Sequence, residues 1–477
     1  MSDVQVNSLI DNQYYPGDIG WVLVSTALVW LMIPGVGFFY GGMARSKNAL
    51  SLYFLGILTV AVVSLQWFMF GYSLTFSTTG NAFIGNFDNA LFLGLKFGPS
   101  PVSTRIPDLL YATYEGMFAA ITPAIAIGAA AERARTLPTL VFIFIWSTLV
   151  YDPIASWTWS KHGWFRVTGG LDYAGGTPVH ISSGAAALAW CLILGKRNGY
   201  GMQEFRANNM SNVILGTVFL WFGWFGFNGG SASSADIRAI IAVTNSNLAA
   251  STGGLVWMMM DYRYEKKLSV IGFCSGVVSG LVCITPGSGY VNIQYAPLFG
   301  LIGSVSCNLA LKLKSLLSFD DALDVFAVHG VGGFVGNLLT GLFADKNVAS
   351  LSGEEIQGGA INGYYRQFGI QLANSLAALS YSFVFTYLIL FVINKIPHLY
   401  IRIDAENEER GIDEVELGEQ AHYFVERYSS ALKDLTATKS ALAKSKSNAS
   451  LNKHFRQQNL HNQRIEEIPL PPTHNYI

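Results

Sequence analysis

From residue 21 to residue 395 the chain alternates long apolar runs with short polar breaks. Eleven runs reach or approach the about 20 residues that an α-helix needs to cross about 30 Å of hydrocarbon. They are 21–44, 52–76, 109–131, 137–157, 177–195, 212–230, 236–260, 268–285, 291–313, 325–344 and 367–395. Several contain Gly or Pro, which spanning helices tolerate because neighbouring helices satisfy the freed backbone groups. The pattern predicts an all-α polytopic membrane protein with eleven transmembrane helices.

Composition agrees with this reading. The 477 residues are 51% hydrophobic and 13% charged, against about 25% charged in ordinary soluble proteins. Of the 61 charged residues, 22 lie from Arg402 onward, leaving 39 for the first 401 positions. A net charge of −1 excludes a strongly basic nucleic-acid binder. Residues 1–20 hold neither Lys nor Arg nor an apolar run, so no cleaved signal peptide is expected, and the first span serves as the insertion signal. Cys191, Cys274, Cys283 and Cys307 all fall in apolar runs without metal-type spacing. They read as small buried hydrophobes.

Charge in the breaks orients the chain. The odd-numbered breaks carry twelve Lys and Arg residues, among them Arg45, Arg133, Arg197, Lys267 and Lys314. The even-numbered breaks carry seven, among them Arg105, Arg166, Arg238 and Lys346. By the positive-inside rule the odd breaks are cytosolic, which puts the N-terminus outside and the C-terminus in the cytosol.

Two motif pairs indicate an internal repeat. Gly35-x3-Phe39-Tyr40-Gly41-Gly42 in the first span matches Gly223-x3-Phe227-Asn228-Gly229-Gly230 in the sixth. Asp172…Val179-His180 at the fifth matches Asp324…Val328-His329 at the tenth. Five spans per half is an odd number, so the halves have opposite topology. Such 5+5 inverted repeats are typical of transporters and set the substrate site near midplane at their interface. The eleventh helix is then peripheral. The expected organisation is an extracellular N-terminal segment (1–20), an eleven-helix transporter domain (21–400), a cytosolic region packing under it (401–428) and a disordered regulatory tail (429–477). The tail lacks the apolar surface that offsets ordering entropy. Its basic stretch from Lys433 to Lys446, with Ser440, Ser445 and Ser447, suits anionic lipid released by phosphorylation, which implies a cytosolic kinase. The plainer reading is an idle solvated tail.

Of eight histidines, only His180 and His329 lie within spans, at corresponding places in the two halves. Intramembrane ionisable groups are costly and mark pathways or proton relays. Two imidazoles without a nearby Cys or further His make a poor metal set; hydrogen-bonded to each other they offer a donor and an acceptor along a narrow pore. Asp172 and Asp324 precede the His-bearing helices. Each either caps a helix N-terminus, the favoured reading, or supplies negative field to a cation route. No nucleophile set for an enzyme is present, and no cofactor is implied.

The stretches IPGVGFFYGG (33–42), GMFAAITPAIAIGAAAERAR (116–135), LDYAGGTPVHISSG (171–184), WFGWFGFNGGSA (221–232), NSNLAASTGGLVW (245–257), FCSGVVSGLVCITPGSGYV (273–291) and DDALDVFAVHGVGGFVGN (320–337) resemble the ammonium transporter family (Amt/Mep/Rh), especially its fungal members. The resemblance covers about residues 18–425. It implies a homotrimer in the plasma membrane with one pore per subunit, and ammonium or ammonia as substrate. Trp159 and Ser231, with Tyr114, match the external recruitment site, and Asp172 the aspartate that supports it. Phe118 and Phe227 match a stacked pair closing the pore, and His180 and His329 match the twin histidines that line it. The retained His180 is similar to the group that includes ammonium sensors, so a transporter that also signals through its cytosolic tail is the alternative function. Glu115 departs from the family pattern, where glutamine is usual, and so does Asp152 beside Pro153, expected near the outer mouth. Neither receives a mechanism from sequence.

Overall fold

A computed structural model of the chain describes residues 14–95 and 98–421, with 438 and 439 in isolation. The expected tail, most of the N-terminal segment and residues 422–428 lie outside the described residues. Contacts divide the chain into units 1–420 and 421–477, and all the long helices belong to the first. In chain order these are α1 (Pro16–Met43), α2 (Ser46–Phe76), α3 (Asp108–Ala126), α4 (Thr136–Val167), α5 (Gly176–Leu194), α6 (Met210–Gly230), α7 (Ile237–Glu265), α8 (Val270–Gly287), α9 (Ile293–Leu316), α10 (Phe326–Phe343) and α11 (Arg366–Ile393). No β-strand occurs among the described residues, only isolated bridges.

Every apolar run of the sequence is thus helical. Among the described residues nine helices are long and apolar enough to cross a membrane. The other two, α3 and α7, are diluted by polar residues: Asp108 and Glu115 in α3, and Asn245, Asp261, Arg263 and Glu265 in α7. Starts follow local chemistry. The side chain of Asn209 accepts from Asn212 N, Asp236 from Arg238 N and Ala239 N, and Ser269 from Gly272 N. Each satisfies amides that the helix itself leaves unpaired.

The repeat is visible as packing. Helices α1 and α6, bearing the two glycine motifs, lie backbone against backbone. A Cβ on Gly216 would meet Phe39 N at 2.4 Å and Gly35 O at 2.7 Å. Small residues permit this approach, the usual basis of helix association in lipid. Helices α5 and α10 also share a distortion, each opening with a π-turn, Gly176–Ile181 and Phe326–Val331. Such turns concentrate at functional positions.

One pairing within the repeat needs correction. The counterpart of Asp172 is Asp321 rather than Asp324, since each lies eight residues before its histidine. The Asp172 carboxylate accepts from Gly175 N, Gly176 N and Thr177 N at 2.6–2.8 Å, and Asp321 accepts from Phe326 N at 2.8 Å. Asp324 caps nothing with its side chain. Its backbone is left-handed, with φ 62°, and its carboxylate turns to the Lys314 ammonium.

Residues 401–417 bond to the start of α2 and to two inter-helix breaks. Asp413 accepts from Leu50 N and Ser51 N at 2.9 and 2.8 Å, Arg135 meets Glu416 at 2.8 Å, and Glu408 accepts from Asn198 N at 2.7 Å. Beside them runs a buried ionic chain. Glu132 pairs with Arg45 at 2.8 Å and Arg197 at 3.2 Å, and Arg197 pairs with Asp320 at 2.9 Å. Burial alone would push the Asp320 carboxyl up, but the hydrogen bonds and charge of Arg197, helped by Arg133, hold it below the usual carboxylate range. Its neighbour Asp321 is pushed up to about 6, by burial first and by the charge of Asp324 second.

Candidate functional site

Two cavities adjoin a file of stacked rings, one lined by Trp159 and the other by Phe227. The first, the outer one in the orientation expected from sequence, has about 310 Å³ of room for water-sized molecules and is lined by Trp159, Ser231, Asp172, Glu115 and Tyr173, among others. The Trp159 indole is fixed by its Nε1 donating to Asp172 O at 3.0 Å, so the capping loop also holds the indole. Ser231 follows the last residue of α6 and its Oγ donates to Phe227 O at 2.9 Å. Tyr114 is fully buried. Its hydroxyl donates to Gly226 O and Phe227 O at 2.9 and 2.8 Å and stands 3.3 Å from Ser231 Oγ. It tethers the end of α6 behind the cavity instead of lining it.

Phe118 from α3 and Phe227 from α6 stack at 4.2 Å between centroids and 29° between planes. Phe118 also stands edge-on to Trp159 at 6.0 Å and 89°. Beyond them the His180 ring lies nearly parallel to Phe227 at 6.1 Å and to Trp224 at 5.5 Å. His329 closes the file, its Nδ1 3.3 Å from His180 Nδ1. The inner cavity, with about 20 Å³ of room for a water-sized molecule, is lined mostly by apolar side chains, with both histidines, Tyr40, Ser275 and Asp324 as its polar members.

The Nδ1–Nδ1 contact fixes the chemistry of the pair. With both imidazoles neutral, one Nδ1 donates and the other accepts. Each ring carries a single N–H, so one Nε2 is then an acceptor and the other a donor. His180 Nε2 is buried without a partner among the described residues. The pair thus presents both hydrogen-bond functions to whatever passes.

Sequence reasoning missed what brings the rings together. Gly184 and Gly333 each follow their histidine by four residues, and each packs on the opposite half. A Cβ on Gly184 would meet Gly330 N at 2.2 Å, and one on Gly333 would meet His180 Cβ at 2.9 Å. The matched spacing was the available signal. Helix α11, expected to be peripheral, also supports the site: Gln371 brackets Leu171 through its N–H at 3.0 Å and its carbonyl at 2.6 Å, and Asn374 donates to Thr177 Oγ1 at 2.7 Å.

The two departures separate. Glu115 lines the outer cavity. Asp152, expected near the outer mouth, is fully buried between helices and accepts from Gln66 Nε2 at 2.8 Å. All four cysteines are buried. No cluster of three or more His, Cys, Asp or Glu suited to a metal occurs among the described residues.

The sequence model of the Ammonium Transporter Family matches residues 20–422. Ammonium transporter 1 of Schizosaccharomyces pombe is 50% identical over 416 residues, 87% of this chain and 84% of that protein. Ammonium transporter MEP2 of Saccharomyces cerevisiae is 47% identical over 420 residues, 86% of this chain and 84% of that protein. The crystal structure of Candida albicans Mep2 superposes with a TM-score of 0.80 at 46% identity, covering 83% of this chain and 88% of that one.

Proposed function

The chain belongs to the ammonium transporter family, and we propose that it recruits NH4+ at Trp159 and Ser231, strips a proton from it and conducts NH3 past Phe118 and Phe227 along His180 and His329. The observation that carries this reading is the unbroken file of rings from Trp159 to His329, with the histidines in Nδ1 contact.

Energetics require the deprotonation. Taking an ammonium-sized ion into a low-dielectric interior costs on the order of 20 kcal/mol before relaxation, whereas one cation–π contact returns about 0.5–2 kcal/mol. Desolvation makes the cation a stronger acid by up to about 3–5 pKa units, so losing a proton evades most of the cost. Potassium has no proton to lose. Neutral ammonia is both donor and acceptor, matching what the histidine pair offers. The proton crosses separately through that pair, and transport is electrogenic.

The reading includes a plasma-membrane homotrimer whose protomer has eleven spans, with α3 and α7 crossing beside the nine more apolar helices. It places the N-terminus outside and residues 401–420 against the cytosolic face. The contacts of residues 401–417 with the positively charged odd-numbered breaks favour that side. The same contacts favour a second reading, a transporter that also reports occupancy to cytosolic signalling, with kinase control of the tail. Deletion from Ala405 that spares uptake and abolishes signalling supports it; deletion that leaves signalling intact removes it.

The primary test is ammonium-evoked current in proteoliposomes. Wild type gives current, and His180→Ala/His329→Ala loses it or admits potassium. Ammonia movement without current would make the chain a gas channel and remove the proton relay.

A further inference from the structure

Glu115 is a buried carboxyl that the pathway described above does not use. Buried carboxyls are ordinarily paired or fully hydrogen-bonded, and others in this chain obey the rule. Asp18 pairs with Arg105, Glu132 with Arg45 and Arg197, and Asp320 with Arg197. Glu115 is 6% exposed and is hydrogen-bonded by Tyr111, while its Oε2 has no partner among the described residues.

Its place gives the carboxyl a use. Glu115 lines the outer cavity with Trp159 and Ser231. It stands three residues before Phe118 on α3, a spacing that puts both on one helix face. A cation over the indole therefore shares its cavity with the Glu115 carboxyl, which stands one helical turn before Phe118. The other acidic groups lining this cavity are committed: the oxygens of Asp172 accept three backbone N–H groups that start α5, and Glu354 pairs with Arg238 and accepts from Tyr290. Asp152 also has an unpartnered oxygen, Oδ1, but it lines neither cavity.

We propose that Glu115 is the base that deprotonates ammonium at the outer site, an assignment that rests on the transport reading above. One N–H bond of NH4+ breaks and its electron pair stays on nitrogen. The proton forms an O–H bond at the Glu115 carboxylate, leaving neutral NH3 and a neutral carboxyl. That O–H bond then breaks as the proton passes to water and on to the histidine relay, which restores the carboxylate.

Several other groups stand near enough to influence the titration. Tyr72 and Tyr151 lie within electrostatic reach from α2 and α4, and they in turn feel Asp108 and Asp152 respectively. Across the cavity are Arg166, Arg238, Arg105, Asp172 and Glu354. Two of the arginines are already engaged, Arg238 by Glu354 and Arg105 by Asp18 and Asp236.

The test is initial uptake of labelled methylammonium by proteoliposomes holding the full chain, at fixed substrate concentration and stepped external pH. For wild type, uptake falls as acid protonates the carboxylate. A positioned base typically contributes 10²–10⁴-fold, and with water as a substitute acceptor Glu115→Gln is expected to lose about tenfold at neutral pH and to flatten the profile. Glu115→Asp is expected to keep the pH dependence at a reduced rate, which a folding defect does not produce. Wild-type rate and profile in Glu115→Gln would overturn the assignment and leave the transport reading standing. A slowed Glu115→Gln with an unchanged profile also overturns it, because the titration then belongs to another group. Wild type that takes up nothing sinks both.

Discussion

His180 and His329 meet Nδ1 to Nδ1 at 3.3 Å across 149 residues of sequence. Each ring is the other's hydrogen-bond partner in a mostly apolar wall. Replacing one by Ala leaves the other's Nδ1 buried and unpaired, at about 1–3 kcal/mol. Replacing both removes the pair, so His180→Ala and His329→Ala are expected to be non-additive, with a coupling of about 0.5–3 kcal/mol. Thermal unfolding of the purified single and double variants reads this directly. Additive losses would mean that the contact holds nothing.

The pair depends on the glycines packed against it. Gly184→Ala places a Cβ 2.2 Å from Gly330 N, where backbone and not a flexible side chain must yield. Overpacking of this kind costs about 1–3 kcal/mol or more, and separation of the two helices should abolish uptake. Gly369→Ala on α11 meets nothing within 4 Å; it should leave uptake unchanged and stability within about 0.5 kcal/mol. Comparable uptake in both variants would refute the claim.

At the ionic chain, Asp320→Asn leaves the buried Arg197 with Glu132 alone of its two carboxylates. Breaking such a pair costs about 3–5 kcal/mol. Asp320 is held below the usual carboxylate range, so its contribution is complete above the unfolded value and is lost as pH falls through the folded one. Unfolding midpoints followed from pH 7 to pH 3 should therefore show wild type losing its advantage over Asp320→Asn only in strong acid.

Asp321 has the opposite sign. With its folded value pushed up to about 6, first by burial, the folded state binds the extra proton between the usual carboxylate range and pH 6. The ionised group therefore costs stability above pH 6, and the cost fades as pH falls toward 4. Asp321→Asn, whose amide oxygen still accepts from Phe326 N, is expected to be the more stable protein at pH 7 and to match wild type near pH 4. A variant less stable at pH 7 would show that the carboxylate is worth more ionised.

Removal of Asp413 tests the attachment of residues 401–417. Asp413→Ala takes the acceptor from Leu50 N and Ser51 N at the start of α2, at about 0.5–2 kcal/mol by analogy with a lost helix cap. Thermal unfolding should register that loss, and faster proteolysis of the C-terminal region should accompany it.

The sequence by itself determined the helices, because a run of about 20 apolar residues has few other ways to satisfy its backbone in hydrocarbon. It also singled out His180 and His329, since histidines are rare in such runs and these two recur with the repeat. Spacing was read less well. The repeat was anchored on Asp324, although eight residues before each histidine pointed to Asp321, because sequence similarity does not record which carboxylate faces the backbone amides. Glu115 and Asp152 looked alike as unexpected acids, and only the folded chain separated them, one onto a cavity and the other between helices. The 3.3 Å histidine contact, the Gly184 approach to Gly330 and the use of α11 as a support all depend on helix rotation and depth. Those are set by close packing between segments far apart in sequence, where a tenth of a nanometre decides what touches, and no local pattern of residues encodes that distance.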